Sequence, residues 1–293
     1  MYSKDKSLTI NRMREDISLT AKFAVQKHKE DVAYFEIGAD KQAVKVGSTL
    51  NLYPENVQDS EGGEIDEVTA SDIIWSCDEN GITIDVDGVL TVNSGFSIDA
   101  NSVKTITVTG TINTNVTATH VITVYSYAYY EEMSGKSAFD GTVMTIANKS
   151  AIVWPGGNST SVYTLSAPVT LNKDTTITYS NIWSGENTAG QYRYITFKDD
   201  SNNEVFKLYY FWTNLCVNAD TKLSAISKDV WTDITIAIKN DGSFTISGNG
   251  NQIETSIPKA SLTNIAKIEL SSAKNCPDAE KRALGIGKIS ISQ

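Results

Sequence analysis

The segment Tyr192–Lys198 reads Tyr-Arg-Tyr-Ile-Thr-Phe-Lys, and Glu204–Trp212 reads Glu-Val-Phe-Lys-Leu-Tyr-Tyr-Phe-Trp, with Asp-Asp-Ser-Asn-Asn between them. Short polar residues of this kind favour turns, so the pattern predicts two strands joined by a hairpin turn. Side chains on a strand alternate between its two faces. One face of each predicted strand is apolar enough for a core. On the first strand this face carries Ile195 and Phe197, with Arg193 at its end. The opposite face carries Tyr192, Tyr194, Thr196 and Lys198 on the first strand, and Lys207, Tyr209 and Phe211 on the second.

This second face is aromatic but also carries lysine and threonine. A sheet that buries only one face is plainly polar on the other. An aromatic, half-polar face is therefore typical either of a sugar-stacking platform or of a second packing surface.

The platform interpretation rests on the chemistry of sugar rings. Pyranoses have apolar C–H faces that tyrosine and tryptophan cover, while nearby polar groups bind the hydroxyls. In this interpretation Lys207 and Lys198 read a carboxylate, as in uronic acids, and Trp183 and Arg193 flank a loop at 184–190 that overhangs the platform. The predicted ligand-binding residues are Tyr192, Tyr194, Tyr209, Phe211, Lys207, Trp183 and Arg193. We interpret Trp154, Trp212 and Trp231 as structural.

A structural calcium ion is the only cofactor that the sequence suggests. Asp199, Asp200 and Asn202 in the hairpin turn offer the hard oxygen ligands that Ca²⁺ prefers. The same residue types favour turns on their own account, so a solvated turn is the alternative. Asp140 is a second candidate ligand.

No pattern predicts catalysis, and we expect a non-catalytic protein. Glu64–Glu67 (Glu-Ile-Asp-Glu) is similar to the Glu-x-Asp-x-x-Glu strand of jelly-roll endoglucanases, but Thr69 stands where the second glutamate belongs. Retaining hydrolysis needs two paired carboxyl groups. Neither His28 nor His120 has the partners of a nucleophilic triad.

Composition excludes several partners and sites. The chain has 293 residues and a formal net charge of −10, with an isoelectric point of about 4.8, which argues against nucleic acid and anionic membranes. No apolar run is long enough to span a membrane, and the N-terminal residues lack the apolar core of a signal peptide. The three cysteines form no disulfide framework, although a Cys216–Cys276 bridge stays open as an alternative.

Alternating apolar and hydroxyl residues predict an all-β protein. The alternation is sustained over Thr105–Tyr125 and Thr175–Ile182, and no 3.6-residue period persists over ten residues. Two short stretches, Lys259–Asn264 and Pro277–Arg282, are predicted as helical turns. We expect a β arm or upstream remnant at 1–32, a β-sandwich at 33–126 and a two-sheet domain at 134–293. A tyrosine-rich join, Tyr125–Glu132, is expected to pack between the domains. The arm is expected to pair with the next domain, an upstream module or another subunit.

The order of landmarks over 33–125 resembles the bacterial immunoglobulin-like group 2 domain. The Val-Gly-Ser-Thr-Leu run at 46–50, the Trp-Ser pair at 75–76 and the Asp-Gly-Val-Leu-Thr-Val run at 87–92 carry this resemblance. It implies an immunoglobulin-like β-sandwich that acts as a spacer or adhesion module on extracellular or virion proteins.

Residues 134–293 resemble concanavalin-like, laminin-G-like and carbohydrate-binding jelly-roll modules. The resemblance rests on Trp231 at the entry to a strand, the Gly-Asn-Gly hairpin end at 248–250 and the closing run at 285–291. It implies a two-sheet jelly roll that binds a polysaccharide or a cell-surface glycan.

Three functions follow from these patterns. The first is a non-catalytic glycan-binding or adhesion protein at the cell surface, in which the first domain spaces the jelly roll. The second is a bacteriophage virion or tail protein that contacts the host surface, favoured by the Met start and by an N-terminal arm that needs a partner. The third, a polysaccharide-active enzyme, rests on fold analogy alone.

Overall fold

The computed structural model describes residues 28–132, 139–157, 159–183, 192–211, 214–217, 221–224, 227–273 and 284–293. This part of the chain is built from 22 strands and short 3-10 turns, which confirms the all-β prediction. The 3-10 turns are Lys29–Asp31, Ala70–Asp72 and Lys259–Ser261. The predicted strands within residues 1–27, the helical turn at 277–282, the loop at 184–190 and Trp212 lie outside the described residues. None of the described helices is long and apolar enough to cross a membrane.

Residues 32–125 form two four-stranded sheets that share one core. The first sheet has the order β1-β3-β6-β5 and the second β2-β8-β7-β4. Alternating apolar residues from both sheets, such as Leu50, Leu90 and Val108, are completely buried between them. The strands are β1 Val32–Ala39, β2 Ala43–Lys45, β3 Thr49–Asp59, β4 Ile74–Ser76, β5 Ile82–Ile84, β6 Val89–Val92, β7 Val103–Ile112 and β8 Val116–Tyr125.

Asp87 and Gly88 lie in a turn between β5 and β6. Gly88 has a φ of 79°, a conformation that residues with a Cβ rarely adopt. The Asp85 carboxylate accepts hydrogen bonds from the backbone N–H of Asp87 at 3.0 Å and of Val89 at 2.9 Å. The side chain therefore closes the turn and sets the register of the two strands.

Residues 129–292 form a sandwich of an eight-stranded and a six-stranded sheet. The larger sheet has the order β10-β11-β22-β13-β18-β19-β20, with β9 also paired to β22, and the smaller sheet has the order β12-β21-β14-β15-β16-β17. The strands are β9 Tyr129–Glu132, β10 Val143–Ile146, β11 Lys149–Val153, β12 Thr160–Thr170, β13 Thr175–Trp183, β14 Tyr192–Lys198, β15 Glu204–Phe211, β16 Asn214–Cys216, β17 Lys222–Ser224, β18 Thr232–Ile238, β19 Ser243–Gly248, β20 Asn251–Ser256, β21 Asn264–Ser272 and β22 Leu284–Ser292.

The core of this sandwich is formed by the inward-facing residues of both sheets. Ile177, Ile234 and Ile236 of the larger sheet and Ile195 and Phe197 of the smaller sheet have no exposed surface. Burial of this kind stabilises the fold by about 1.5–3 kcal/mol for each large apolar side chain. The alternation of β18 thus follows from packing one face of the sheet, whereas the last five residues of β13 are buried on both faces.

The tyrosine-rich join contains a strand that the sequence did not predict. Tyr129–Glu132 forms β9 and pairs with β22, so these residues belong to the larger sheet. Tyr129 lies in the core, whereas Tyr130 faces outward and packs with Tyr125 and Ala43. The ring centroids of Tyr125 and Tyr130 are 5.6 Å apart. The join thus contacts both β2 and the larger sheet, and its position between two domains stays a prediction.

The Cys216–Cys276 bridge is not formed. Cys216 is a free thiol with no exposed surface, while Cys276 lies outside the described residues. The thiol faces the hydroxyl of Tyr209, the residue opposite it on the neighbouring strand. Burial raises the pKa of this thiol.

Candidate functional site

The candidate site lies on the outer face of the smaller sheet, where β14 and β15 run antiparallel. Tyr192 is opposite Phe211, Tyr194 is opposite Tyr209, and Thr196 is opposite Lys207. Directly opposed residues of an antiparallel pair project from the same face of the sheet. The register therefore gathers Tyr192, Tyr194, Tyr209 and Phe211 on one side.

Burial separates the two faces as the alternation predicted. Residues that alternate with the aromatic set, such as Ile195, Phe197 and Tyr210, are at most 1% exposed and lie in the core. On the outer face Tyr192 is 38% exposed, and Tyr194, Tyr209 and Phe211 are half-buried. We call these last four residues the aromatic platform. Its rings reach the protein surface and are not sealed between the two sheets.

The platform rings form one continuous surface. The ring centroids of Tyr192 and Phe211 are 4.9 Å apart with an interplanar angle of 22°. Tyr209 lies 5.7 Å from Tyr192 and 6.1 Å from Tyr194, both in tilted arrangements. These separations are those of favourable aromatic pairs, so the rings hold one another in place without a ligand.

Two lysines on this face have different surroundings. The Nζ of Lys207 lies 4.5 Å from the ring centroid of Tyr194, a cation–π contact. Lys198 instead forms an ion pair with Glu269 of β21, and both side chains are mostly buried. The sequence predicted that Lys198 reads a ligand carboxylate, but its charge is already matched by Glu269.

Polar residues surround the platform on the adjoining strands. On one side, Cys216 and Lys222 continue the row of Tyr194 and Tyr209 across β16 and β17. The parallel row from Phe211 continues through Asn214 and Ser224. On the other side, Ser271 of β21 lies opposite Tyr194. The rings therefore lie among amide, hydroxyl and ammonium groups, the donors and acceptors that sugar hydroxyls bind.

Sequence patterns did not predict Asn214, Lys222 and Ser224 as part of this site. Each lies in a strand of three residues, which is too short to show a period. The only signal was proximity in sequence to the aromatic hairpin.

The platform is supported from inside the sandwich by Trp154. Its indole N–H donates a hydrogen bond to the backbone carbonyl of Tyr194 at 2.7 Å. The indole packs edge-on against Tyr210, with ring centroids 5.4 Å apart. The hydroxyl of Tyr210 is in turn 2.8 Å from that of Tyr179 on the opposite sheet. The structural role predicted for Trp154 is thus confirmed.

The predicted positions of Trp183 and Arg193 beside the platform are wrong. Trp183 is 4% exposed and Arg193 is 1% exposed. The guanidinium carbon of Arg193 lies 5.5 Å from the Trp183 ring centroid. Arg193 shares the inward-facing parity of Ile195, so the alternation of β14 turns it away from the platform.

The hairpin turn 199–203 uses its oxygens for its own backbone. The Asp199 carboxylate accepts hydrogen bonds from the Asn203 N–H at 2.7 Å and from the Asn203 side-chain amide at 3.1 Å. These hydrogen bonds lower the pKa of Asp199. The Lys267 ammonium lies 3.4 Å from the side-chain oxygen of Asn202, so that oxygen faces a cation.

These contacts do not favour calcium in the turn. The Asp200 carboxylate accepts a hydrogen bond from the Ser201 hydroxyl at 3.4 Å, and the Asp140 carboxylate accepts one from the Val162 N–H. Across the described ranges no group of three or more His, Cys, Asp or Glu residues is placed to hold a metal ion. Calcium binding by Asp199, Asp200 and Asn202 stays a prediction.

Comparison with known proteins gives similarity of fold only. No protein-family model matches the chain, and no curated protein matches it. Among solved structures, lectin II from Ulex europaeus is similar at 9% identity and a TM-score of 0.42, covering 57% of this chain and 100% of that one. The Emp47p carbohydrate recognition domain is similar at 12% identity and a TM-score of 0.42, covering 56% and 95%.

A third similar structure is the VIP36 exoplasmic/lumenal domain in a Ca²⁺/Man3GlcNAc-bound form. Its identity is 12% and its TM-score 0.38, with 53% of this chain and 82% of that one covered. The superpositions are too loose for a comparison of individual residues.

Proposed function

We propose that this protein is a non-catalytic glycan-binding protein whose aromatic platform stacks against sugar rings. The observation that carries the proposal is the outward position of four contiguous rings among polar groups. An aromatic surface exposed to water is costly unless it is used for binding. Stacking of a pyranose on Tyr194 and Tyr209 would leave its hydroxyls facing Asn214 and Ser271.

In this proposal the rest of the chain presents the binding site. We propose that residues 33–126 form an immunoglobulin-like spacer and residues 134–293 a jelly-roll binding domain, in a protein of the cell surface or the extracellular space. The join contacts both parts of the chain. The Lys45 ammonium of β2 donates a hydrogen bond to the Ala128 carbonyl at 3.0 Å, and β9 pairs with β22. The virion alternative stays a prediction, because the arm on which it rested lies almost wholly outside the described residues.

Affinity gel electrophoresis tests the proposed function. We expect the protein to be retarded by at least one polysaccharide in a panel of plant, microbial and animal polymers, both neutral and acidic. Tyr194→Ala and Tyr209→Ala should each weaken binding about tenfold, which corresponds to about 1.4 kcal/mol. The matched control is Tyr34→Ala, which removes an exposed tyrosine of β1 and should leave retardation unchanged.

Two results would refute the proposal. One is the absence of retardation by every polymer in the panel. The other is a chain that self-associates through this face, so that Tyr194→Ala converts a dimer into a monomer in analytical ultracentrifugation. That second outcome would assign the rings to packing between copies.

A further inference from the structure

The outer face of the smaller sheet carries a charge opposite to that of the whole chain. Its described strands present four lysines and two glutamates on this face. The whole sequence contains 25 lysine and arginine residues against 35 aspartate and glutamate residues. The register places the six side chains on the same face as the platform. They are Lys198, Lys207, Lys222, Lys267, Glu204 and Glu269.

Only two of these lysines are available to a ligand beside the rings. Lys198 is paired with Glu269, and the Lys267 ammonium lies 3.4 Å from Asn202. Neither Lys207 nor Lys222 forms an ion pair with any carboxylate in the described part of the chain. Both side chains are exposed.

These two lysines are placed on different edges of the platform. Lys207 lies two residues before Tyr209 on the same strand, and its ammonium is over the Tyr194 ring. Lys222 is opposite Cys216, which is opposite Tyr209, so it lies two strands away, or about 9–10 Å. A sugar that stacks on Tyr194 and Tyr209 would therefore place its ring substituents between two ammonium groups.

We propose that the platform selects anionic glycans, in which a carboxylate or sulfate group on the stacked sugar binds Lys207 and Lys222. The proposal rests on the proposed glycan-binding function and adds the chemical class of the ligand. The many acidic residues elsewhere do not prevent it, because charges more than about 10 Å away are largely screened at 0.1 M salt. Stacking supplies contact area and the two lysines supply the discrimination between charged and neutral sugars.

Pairs of polymers that share a backbone test this inference. Polygalacturonate is compared with highly methyl-esterified pectin, and carboxymethyl-dextran and dextran sulfate are compared with dextran. We expect at least one anionic member to bind at least tenfold more tightly than its neutral partner at 0.15 M salt. The carboxylated and sulfated arms show which anionic group the site prefers.

Matched variants connect that preference to the two lysines. Lys207→Met and Lys222→Met should each reduce binding of the anionic polymer toward the level of its neutral partner. Lys173→Met, which removes an exposed lysine between β12 and β13, should change nothing. Circular dichroism of each variant shows that the fold is intact.

The outcomes separate this inference from the proposed function. Equal binding of the neutral and anionic partners would overturn the inference and leave glycan binding standing. No binding to any polymer would overturn both. Polyglutamate is the control for charge alone, and the inference is wrong if it binds as tightly as the best anionic glycan. The inference is also wrong if Tyr194→Ala leaves binding of the anionic glycan unchanged. In either case no sugar ring is being recognised.

Discussion

Trp154 links the interior of the sandwich to the aromatic platform. Its indole N–H donates to the Tyr194 carbonyl, and its ring packs against Tyr210 inside the core. A hydrogen bond of this kind contributes about 0.5–1.5 kcal/mol to stability. The position of the Tyr194 backbone, and with it the platform ring that packs against Tyr209, therefore depends on a residue that no ligand touches.

The Trp154→Phe variant tests this dependence. Loss of the hydrogen bond and of part of the buried volume should lower the free energy of unfolding by about 2–4 kcal/mol. Urea unfolding followed by circular dichroism measures the change. Tyr53→Phe, at a partly exposed ring of β3, is the control and should cost less than about 1 kcal/mol; equal losses in the two variants would contradict the supporting role.

At the scale of single residues, alternation predicted which side chains of β14 and β15 face the core, because one face of the sheet must be buried. The same alternation placed Arg193 inward, yet its charge suggested a surface role. Arginine is rarely fully buried, and a pattern of residues does not reveal that Trp183 covers the guanidinium. Likewise, nothing in the sequence shows that Glu269, some 70 positions further along the chain, lies beside Lys198.

Turns fix the strand register in this protein, and Gly242 in the β18–β19 hairpin is one example. Gly242 has a φ of 94°, and a Cβ at this position would lie 2.5 Å from the carbonyl oxygen of Ile257. Gly250, in the β19–β20 hairpin, has a φ of 75° but no atom within 4 Å of such a Cβ. Substitutions at these two glycines therefore separate the energetic cost of backbone strain from that of a steric clash.

We expect Gly242→Ala to destabilise the fold more than Gly250→Ala. Strain alone costs about 1 kcal/mol in Gly250→Ala, while the clash raises the cost of Gly242→Ala to about 2–4 kcal/mol. Midpoints of urea unfolding give both values. The account would be contradicted if the two variants had the same midpoint.

Long, regular elements were predictable and short ones were not. The run that became β18 alternates over seven residues, so its period was visible. The alternation of β13 and β22 is interrupted where their register shifts between Ser180 and Asn181. β16 and β17 have three residues each, and β20 reads Asn-Gln-Ile-Glu-Thr-Ser, with one apolar residue. These strands form because the neighbouring strand offers free backbone groups, and this tertiary cause leaves no local signal.

At the scale of the whole molecule, the join carries a titratable group inside the larger sheet. Glu131 of β9 is opposite Ile289 of β22 and faces Tyr163, whose hydroxyl is 3.1 Å from that of Tyr129. Burial raises the pKa of Glu131 to about 7, the charge of Glu132 acts in the same direction, and Tyr163 and Lys41 oppose the shift. The folded protein thus holds this proton more tightly than the unfolded chain, in which the carboxyl titrates near 4.5.

This difference predicts that stability falls as pH rises. The contribution of the protonated carboxyl is fully present below about pH 4.5, is lost between about pH 4.5 and 7, and is gone above that range. The loss amounts to about 3 kcal/mol. Glu131→Gln keeps the neutral form at every pH, so it should be more stable than the parent at pH 8 and similar at pH 4.5.

Urea unfolding at pH 4.5, 6 and 8 measures this dependence. Glu254→Gln, on the exposed strand β20, is the matched control and should retain the pH dependence of the parent. If the parent and Glu131→Gln show the same change in unfolding midpoint from pH 4.5 to 8, the carboxyl is not the group responsible.

The fold class at this scale was predictable, but the connection between the halves was not. Alternation and turn residues predict an all-β chain, whereas Tyr-Tyr-Glu-Glu at β9 has no apolar alternation and so does not predict a strand. Its pairing with β22 links residues about 160 positions apart. The division into three domains, and the spacer role of the first sandwich, stay predictions.

The central claim is that the rings of Tyr192, Tyr194, Tyr209 and Phe211 contact a bound sugar. Aromatic NMR spectra recorded during titration with an oligosaccharide of the polymer that binds best test it most directly. We expect the largest chemical-shift changes on these four rings, with Tyr34 and Tyr53 unchanged. Saturable shifts confined to other residues, with the platform rings unmoved, would contradict it.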